Sequence, residues 1–311
     1  MNKIAILILI VICGCSPKIA RNQLYTQSDK ERVVRHLTTI TKTEGFRSFG
    51  NVSLLNQIAE YIFSVFSQYA DTVYYQPYQP LGYDETYMNV VARLGSAIDK
   101  PLVIIGAHYD VVRNTEGADD NASGVVGLLE LVRILSNEKL NYPIEFVAYT
   151  LHECCMWTNN GGSFVHAKSL HDAGTPVYGM VSLEMIGYFD DRRNSQSYPV
   201  KAMRVVYGSK GNFILFAKKF GSGKFVRNFS NSFKKQATIK ARSIKAPIKW
   251  GIDRSDHSNY WKFDYDALMI TNTANFRNPN YHKSSDKMET LDIPKMMQVI
   301  DATALAIINL K

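Results

Sequence analysis

The sequence predicts an α/β protein: a mostly parallel mixed sheet with helices on both faces. Short apolar runs bounded by turn residues, at 102–106, 144–151 and 177–185, alternate with segments whose apolar residues recur at helical spacing. Those runs are predominantly apolar rather than strictly alternating, the pattern of strands covered on both sides. The chain has 311 residues, 46% of them hydrophobic, enough to bury one substantial core, and no internal repeat or low-complexity tract divides it.

Each element follows from its local pattern. Residues 31–41 and 54–69 carry a helical period, the second opened by a capping Asn51 or Ser53. Thr72–Tyr78 and Tyr87–Leu94 read as strands, with Leu81-Gly82-Tyr83-Asp84 as a turn between them. The strand 102–106 is followed by a helix over Gly124–Leu135, a strand over 144–151, a helix over 164–170 and a strand over 177–185. Val205 to Tyr207 reads as another strand, 268–271 as a late strand and 294–310 as a closing amphipathic helix, while Phe213, Phe216 and Phe220 fall at helical spacing.

The amino terminus reads as a targeting segment. Lys3 precedes an apolar run over 4–12, too short to span a bilayer and suited to a signal-peptide core. Ile12-Cys13-Gly14-Cys15 resembles a bacterial lipobox, which implies cleavage before Cys15, lipidation of its thiol and export. The protein is then anchored to the cell envelope, facing the periplasm or on the outer membrane; ordinary cleavage without an anchor fits the same run. The expected organisation is a signal peptide at 1–14, a lipidated terminus and polar linker at 15–30, and a single domain over 31–311. With Cys15 lipidated and Cys154 and Cys155 adjacent, no disulfide framework is expected.

The formal net charge of +8 is unevenly placed, because residues 201–250 hold thirteen Lys or Arg and no Asp or Glu. Such a block attracts acidic substrates, nucleic acid or anionic lipid. No nucleic-acid motif accompanies it, so a solvated basic face is expected and no nucleic-acid partner.

Side chains that carry chemistry gather at strand ends. The strand at 102–106 leads into His108 and Asp110, and a turn-rich loop delivers Asp119, Asp120 and Asn121 to the next helix. Strand 144–151 runs into His152 and Glu153, strand 177–185 carries Glu184, and the late strand leads towards Tyr281 and His282. Open α/β sheets form their sites at these carboxyl edges. Singly, each residue also fits a structural role, such as a salt bridge or an N-cap at Asp120 or Ser123. Jointly, the imidazoles and carboxylates are the donors that a borderline cation such as zinc prefers. Clustered without a cation, Asp120, Glu153 and Glu184 would raise one another's pKa. Two divalent ions set four positive charges against those three, which favours a two-metal hydrolytic centre. Asp110, two residues past His108, is placed to hold its ring tautomer.

The ordered set His108-x-Asp110, Asp120-Asn121-x-x-Gly124, Glu153, Glu184-Met185-Ile186-Gly187 and Tyr281-His282 resembles the M28 zinc peptidases, the aminopeptidase and glutaminyl-cyclase superfamily. Asn89-Val90-Val91-Ala92, Ser255-Asp256-His257 and Ser285-Asp286-Lys287 are supporting matches, and the resemblance spans about residues 85–310. It implies a zinc-exopeptidase-like fold, peptide or protein amino termini as substrates, and two zinc ions. By the same resemblance His108 and Glu184 hold one zinc, Glu153 and His282 the other, and Asp120 bridges, with Asp110 orienting His108. Asp256, His257, Asn272 and Tyr281 are then expected to line the substrate pocket, although Asp256 and His257 also fit a helix N-cap and its neighbour.

Three departures stand against that resemblance. The family places a second Glu, the general base, directly before the ligand Glu; this chain has His152 there. Imidazole can take a proton, but losing the usual base costs roughly 10²- to 10⁴-fold in rate. Cys154-Cys155 follows Glu153, as packed small hydrophobes or as thiolates competing for zinc. Asn272 carries an amide where the family usually has Asp. Three readings follow: a lipid-anchored metalloaminopeptidase using His152 as base; a single-zinc acyltransferase of the glutaminyl-cyclase type; and a catalytically impaired relative that binds without turnover.

Overall fold

The computed structural model describes residues 27–95, 99–247 and 251–311. The expected signal peptide and lipidation site, Cys15, lie outside the described residues. Leu102–His108 (β3) shows why the sheet forms: every position is buried, and its residues divide by parity. Val103, Ile105 and Ala107 enter one apolar core and Leu102 and Ile104 the other, as two-sided burial of a central strand requires.

The other strands are β1 (Thr72–Tyr78), β2 (Tyr87–Leu94), β4 (Ile144–Tyr149), β5 (Val177–Glu184), β6 (Phe213–Lys218), β7 (Lys240–Lys245) and β8 (Ala267–Thr271). They form one sheet in the order β1-β2-β4-β3-β5-β8-β6-β7. β4, β3, β5 and β8 run parallel to one another, flanked by antiparallel pairings of β2 with β4 and of β6 with β8. The carboxyl ends of four adjacent strands therefore open on the same edge.

Helices cover both faces. α1 (Lys30–Thr41), α2 (Val52–Phe66), α3 (Gly124–Leu135), α7 (Lys224–Gln236) and α9 (Ile293–Ile308) supply the larger core, α5 (Gly162–Asp172) and α8 (His257–Trp261) the smaller. Two further short helices are α4 (His152–Cys155) and α6 (Met203–Tyr207). Asp29, Asn51 and Asp292 side chains accept from the first-turn N–H groups of Arg32, Leu54 and Lys295, capping α1, α2 and α9. Among the described residues no helix is long and apolar enough to cross a membrane.

The structure differs from the sequence reading in three regions. Residues 27–30 are tied to the domain rather than forming linker, since the Ser28 N–H donates to Asp301 Oδ1 at 2.8 Å and Arg133 donates to the Gln27 carbonyl. Val205 to Tyr207 is helical in α6, not a strand, with Val205 and Val206 exposed; a run of three residues is too short for β propensity to decide. Phe213 and Phe216 lie on strand β6 rather than on a helix, and Phe216 packs edge-on against Phe233 of α7. Most Lys and Arg side chains of the basic segment are exposed, as expected of a solvated face, but one is buried. Lys218 is buried beside the Phe216 ring, and burial lowers its pKa to about 8.

Candidate metal centre

The edge where β4, β3, β5 and β8 end gathers the predicted donors. His108 closes β3 and is fully buried. Its Nε2 lies 3.5 Å from Asp120 Oδ1 and 3.4 Å from Glu184 Oε2, the last residue of β5. His282, on the turn beyond β8, places Nε2 3.2 Å from Asp120 Oδ2 and 3.4 Å from Glu153 Oε2. Each oxygen of Asp120 thus faces a different imidazole, with one further carboxylate on each side.

Backbone N–H groups hold these donors in place. Asp110 accepts from the N–H of His152 at Oδ1 and of Glu153 at Oδ2, both at 3.0 Å. It also faces His108, whose Nδ1 is 3.4 Å from Asp110 Oδ1 and 3.1 Å from the Asp110 carbonyl. Asp286 does for the loop before α3 what Asp110 does for α4, accepting from the N–H groups of Asp119 and Asp120 at 3.0 Å each. The Asn121 side chain then donates to the Leu183 carbonyl and accepts from the Met185 N–H. Gly124 allows that closure, because a Cβ there would stand 2.5 Å from the Leu183 oxygen. Glu184 Oε2 accepts from Ser255 Oγ at 2.8 Å.

The electrostatics are those of a cation site. Burial alone would depress the His108 imidazole, yet Glu184, Asp110 and Asp120 hold its pKa well above the usual value. His282 is raised to about 10 by Asp120 and Glu153 against the opposing pull of burial. Burial and the nearby Asp120 charge push Glu153 up to about 7. The buried His108 Nε2 has no hydrogen-bond partner. An orphaned nitrogen, a second imidazole and three carboxylates at this range are a donor set that fits zinc.

His152 occupies the floor beside this set. Its ring stacks on His108, centroids 3.9 Å apart and planes 8° from parallel, and its Nδ1 lies 3.1 Å from Asp256 Oδ1. Donor atoms of His108, His152 and Glu184 all fall within 4.8 Å of one another, so His152 is in reach of either a proton or a metal. Cys154 and Cys155 are neither packed thiols nor thiolates, because their sulfurs are bonded to each other. That neighbouring pair is a disulfide the sequence reading did not expect.

A cavity of about 320 Å³ opens beside Asp120, His152, Glu153 and Glu184. Tyr281 lines it and stacks on His282 at 3.8 Å. Asp256, His257 and Asn272 do not line it. Asp256 lies behind His152; His257 turns inward, its Nε2 2.7 Å from the Ile252 carbonyl; and Asn272 donates to Asp119 Oδ2 at 2.7 Å. The Asn272 amide is required there, since the buried Asp119, raised to about 6 by burial, needs donors and also accepts from Asn278. The cavity walls include Tyr198, Met203, Tyr207, Leu215, Ala217, Ile244 and Met269. Most of these come from 196–250, a stretch whose charge hid its alternating apolar residues.

Comparisons with known proteins identify the family and the fold. The model of peptidase family M28 matches residues 89–307, and the chain belongs to that family. The uncharacterised protein YfbL of Escherichia coli K12 is 40% identical over 90% of this chain and 87% of its own length. A probable leucine aminopeptidase 1 of Trichophyton verrucosum is 27% identical over 63% of this chain, which spans about half (51%) of that relative's length. Among solved structures, the Legionella pneumophila LapA aminopeptidase superposes with a TM-score of 0.68 at 21% identity, over 90% of this chain and 71% of its own. The glutaminyl cyclase of Tannerella forsythia gives a TM-score of 0.64 at 17% identity, over 91% and 99%. At these identities the structures share the α/β fold.

Proposed function

We propose that this chain is an exported, lipid-anchored zinc aminopeptidase that removes an apolar residue from the amino terminus of peptides. The observation that carries the reading is the split of Asp120, one oxygen towards His108 and Glu184, the other towards His282 and Glu153. His108, Glu184 and Asp120 would hold one zinc, and His282, Glu153 and Asp120 a second. Zinc, when bound, supplies Lewis-acid polarisation of a carbonyl and acidifies water.

The chain's own residues do the rest. The carboxylate-rich floor favours a cationic amino terminus over a neutral one. The side chain of the first residue enters the cavity bounded by Met203, Leu215, Ala217, Ile244 and Met269. Asp256 engages His152 Nδ1, which leaves Nε2 to take a proton from the attacking water and return it to the departing amine. Export and anchoring rest on the signal-peptide run and Cys15.

Zinc analysis and aminopeptidase assay of the wild type, His152→Ala and His152→Glu test this. The wild type should hold two zinc ions and turn over slowly; His152→Ala should lose turnover and keep its zinc; His152→Glu should gain roughly 10²-fold. A wild type as inert as His152→Ala would leave a binding protein. One zinc with cyclisation of amino-terminal Gln would favour the acyltransferase reading, to which the glutaminyl-cyclase likeness lends support. Zinc loss in His152→Ala would make His152 a ligand.

A further inference from the structure

The cavity holds a cation to which the proposed reaction assigns no role. Asp120, Glu153, Glu184 and His152 line part of it, most of the walls are apolar or aromatic, and Arg254 is the one Lys or Arg side chain among the described residues that line it. Arg254 is exposed, so it stands at the mouth. Its side chain folds back over Gly251, whose φ of +77° suits glycine and where a Cβ would sit 3.1 Å from Arg254 Nε. It is close enough to Tyr281 for the two to interact electrostatically across the opening.

Among the described residues no carboxylate forms an ion pair with the guanidinium; the neighbouring Asp253 acts on it only electrostatically. The stretches 1–26, 96–98 and 248–250 contain no Asp or Glu, so every acidic side chain lies among the described residues. Nearby walls formed by Ile252, Ile244 and Met269 offer no anion either. A planar, always-charged fork that lines a ligand cavity and forms no ion pair there is suited to a carboxylate. The small cavity, near the lower limit for ligand sites, suits a short peptide.

We infer that Arg254 is a subsite for a substrate carboxylate, and that the preferred substrates are short peptides whose carboxy terminus lies one residue beyond the scissile bond. The inference rests on the aminopeptidase reading above. A carboxy terminus is the favoured source because Arg254 stands at the exposed mouth, whereas an acidic first side chain would have to enter apolar walls.

Steady-state kinetics of the zinc-loaded full chain on Leu-Ala, Leu-Ala-amide, Leu-p-nitroanilide and Glu-p-nitroanilide test it, with Arg254→Gln and Arg254→Lys as variants. Leu-Ala should exceed Leu-Ala-amide in kcat/KM in the wild type. Arg254→Gln should close that gap by about tenfold, mainly through KM, the low end for a hydrogen bond to a charged group. Arg254→Lys should restore part of it, and Leu-p-nitroanilide should be unaffected. A tenfold loss confined to Glu-p-nitroanilide would keep the carboxylate subsite and move its source to the first side chain, overturning the short-peptide assignment. Equal ratios in wild type and Arg254→Gln on every substrate would overturn the inference. Calorimetric binding of Leu-Ala and Leu-Ala-amide reads the same contrast without turnover. An inert enzyme that still binds Leu-Ala more tightly through Arg254 would sink the hydrolytic reading alone, and equal binding would sink the subsite.

Discussion

The two halves of the candidate metal centre are built in different ways. His108 and Glu184 end adjacent parallel strands, are buried, and are fixed by the hydrogen-bond ladder that also fixes the core. Glu153 and His282 sit on a short helix and a turn; His282 is 38% exposed, with φ at +58°. Asp110 beneath Glu153 and the Tyr281 ring against His282 replace the ladder there. A ligand on a central strand is as rigid as the fold, whereas a ligand on a turn is as rigid as its local supports. The strand-borne half should therefore bind its ion more tightly and fail with greater structural damage.

Experiments can break or sharpen that contrast. The largest effect belongs to the residue shared by both halves. Asp120→Ala should reduce bound zinc, measured by elemental analysis, to near zero and abolish turnover; retention of one full equivalent would refute the shared-oxygen arrangement. Next come the two imidazoles. His282→Ala should lose one ion and leave the melting temperature of the metal-free chain close to wild type. His108→Ala should release the ion of the other half and destabilise the fold by roughly 3–5 kcal/mol, because Asp120 and Glu184 keep buried charge without a cationic partner. Equal zinc loss and equal stability in the two variants would erase the difference between the halves. A supporting group should matter less, so Asp110→Asn should weaken zinc binding about 10- to 100-fold, and an unchanged affinity in a chelator competition would show that Asp110 serves the backbone alone.

The smallest effect concerns pH and two histidines outside the candidate donor set. Burial lowers the pKa of both His36 and His257 from the usual 6.5 to about 4. The unfolded chain then binds more protons than the folded one between those values, so stability is full above about pH 6.5 and falls as pH drops towards 4. His257→Gln, which keeps a donor for the Ile252 carbonyl, should flatten that decline in pH-dependent denaturation. An unchanged acid limb would place the loss in other groups.

What could be read from the sequence follows the same division. His108, Asp120, Glu153 and Glu184 were legible because predominantly apolar strands announce where their carboxyl ends must lie, and the sheet brings those ends together. His282 was legible as a group beyond the late strand, but only the family resemblance paired it with Glu153, since a turn leaves no periodic trace. The residues around it were harder to place. Asp256, His257 and Asn272 occur within recognisable motifs, but whether a buried polar side chain faces a cavity or its neighbours depends on a few degrees of backbone. The basic residues of 201–250 are mostly exposed, as expected, but the cavity wall within that segment went unread, because its lysines and arginines dominate the composition while Leu215, Ala217 and Ile244 form the wall. The Cys154–Cys155 bond joins neighbours, so spacing carried no signal.

Asp110 grips the peptide N–H groups of residues 152 and 153, not their side chains. The course of the chain through α4 is consequently indifferent to which side chain stands at position 152. The side chain at position 152 can change while Glu153 stays where it is. The scaffold separates the placing of the candidate donors from the choice of the side chain beside them, and a histidine next to Glu153 is the kind of variation such a separation permits.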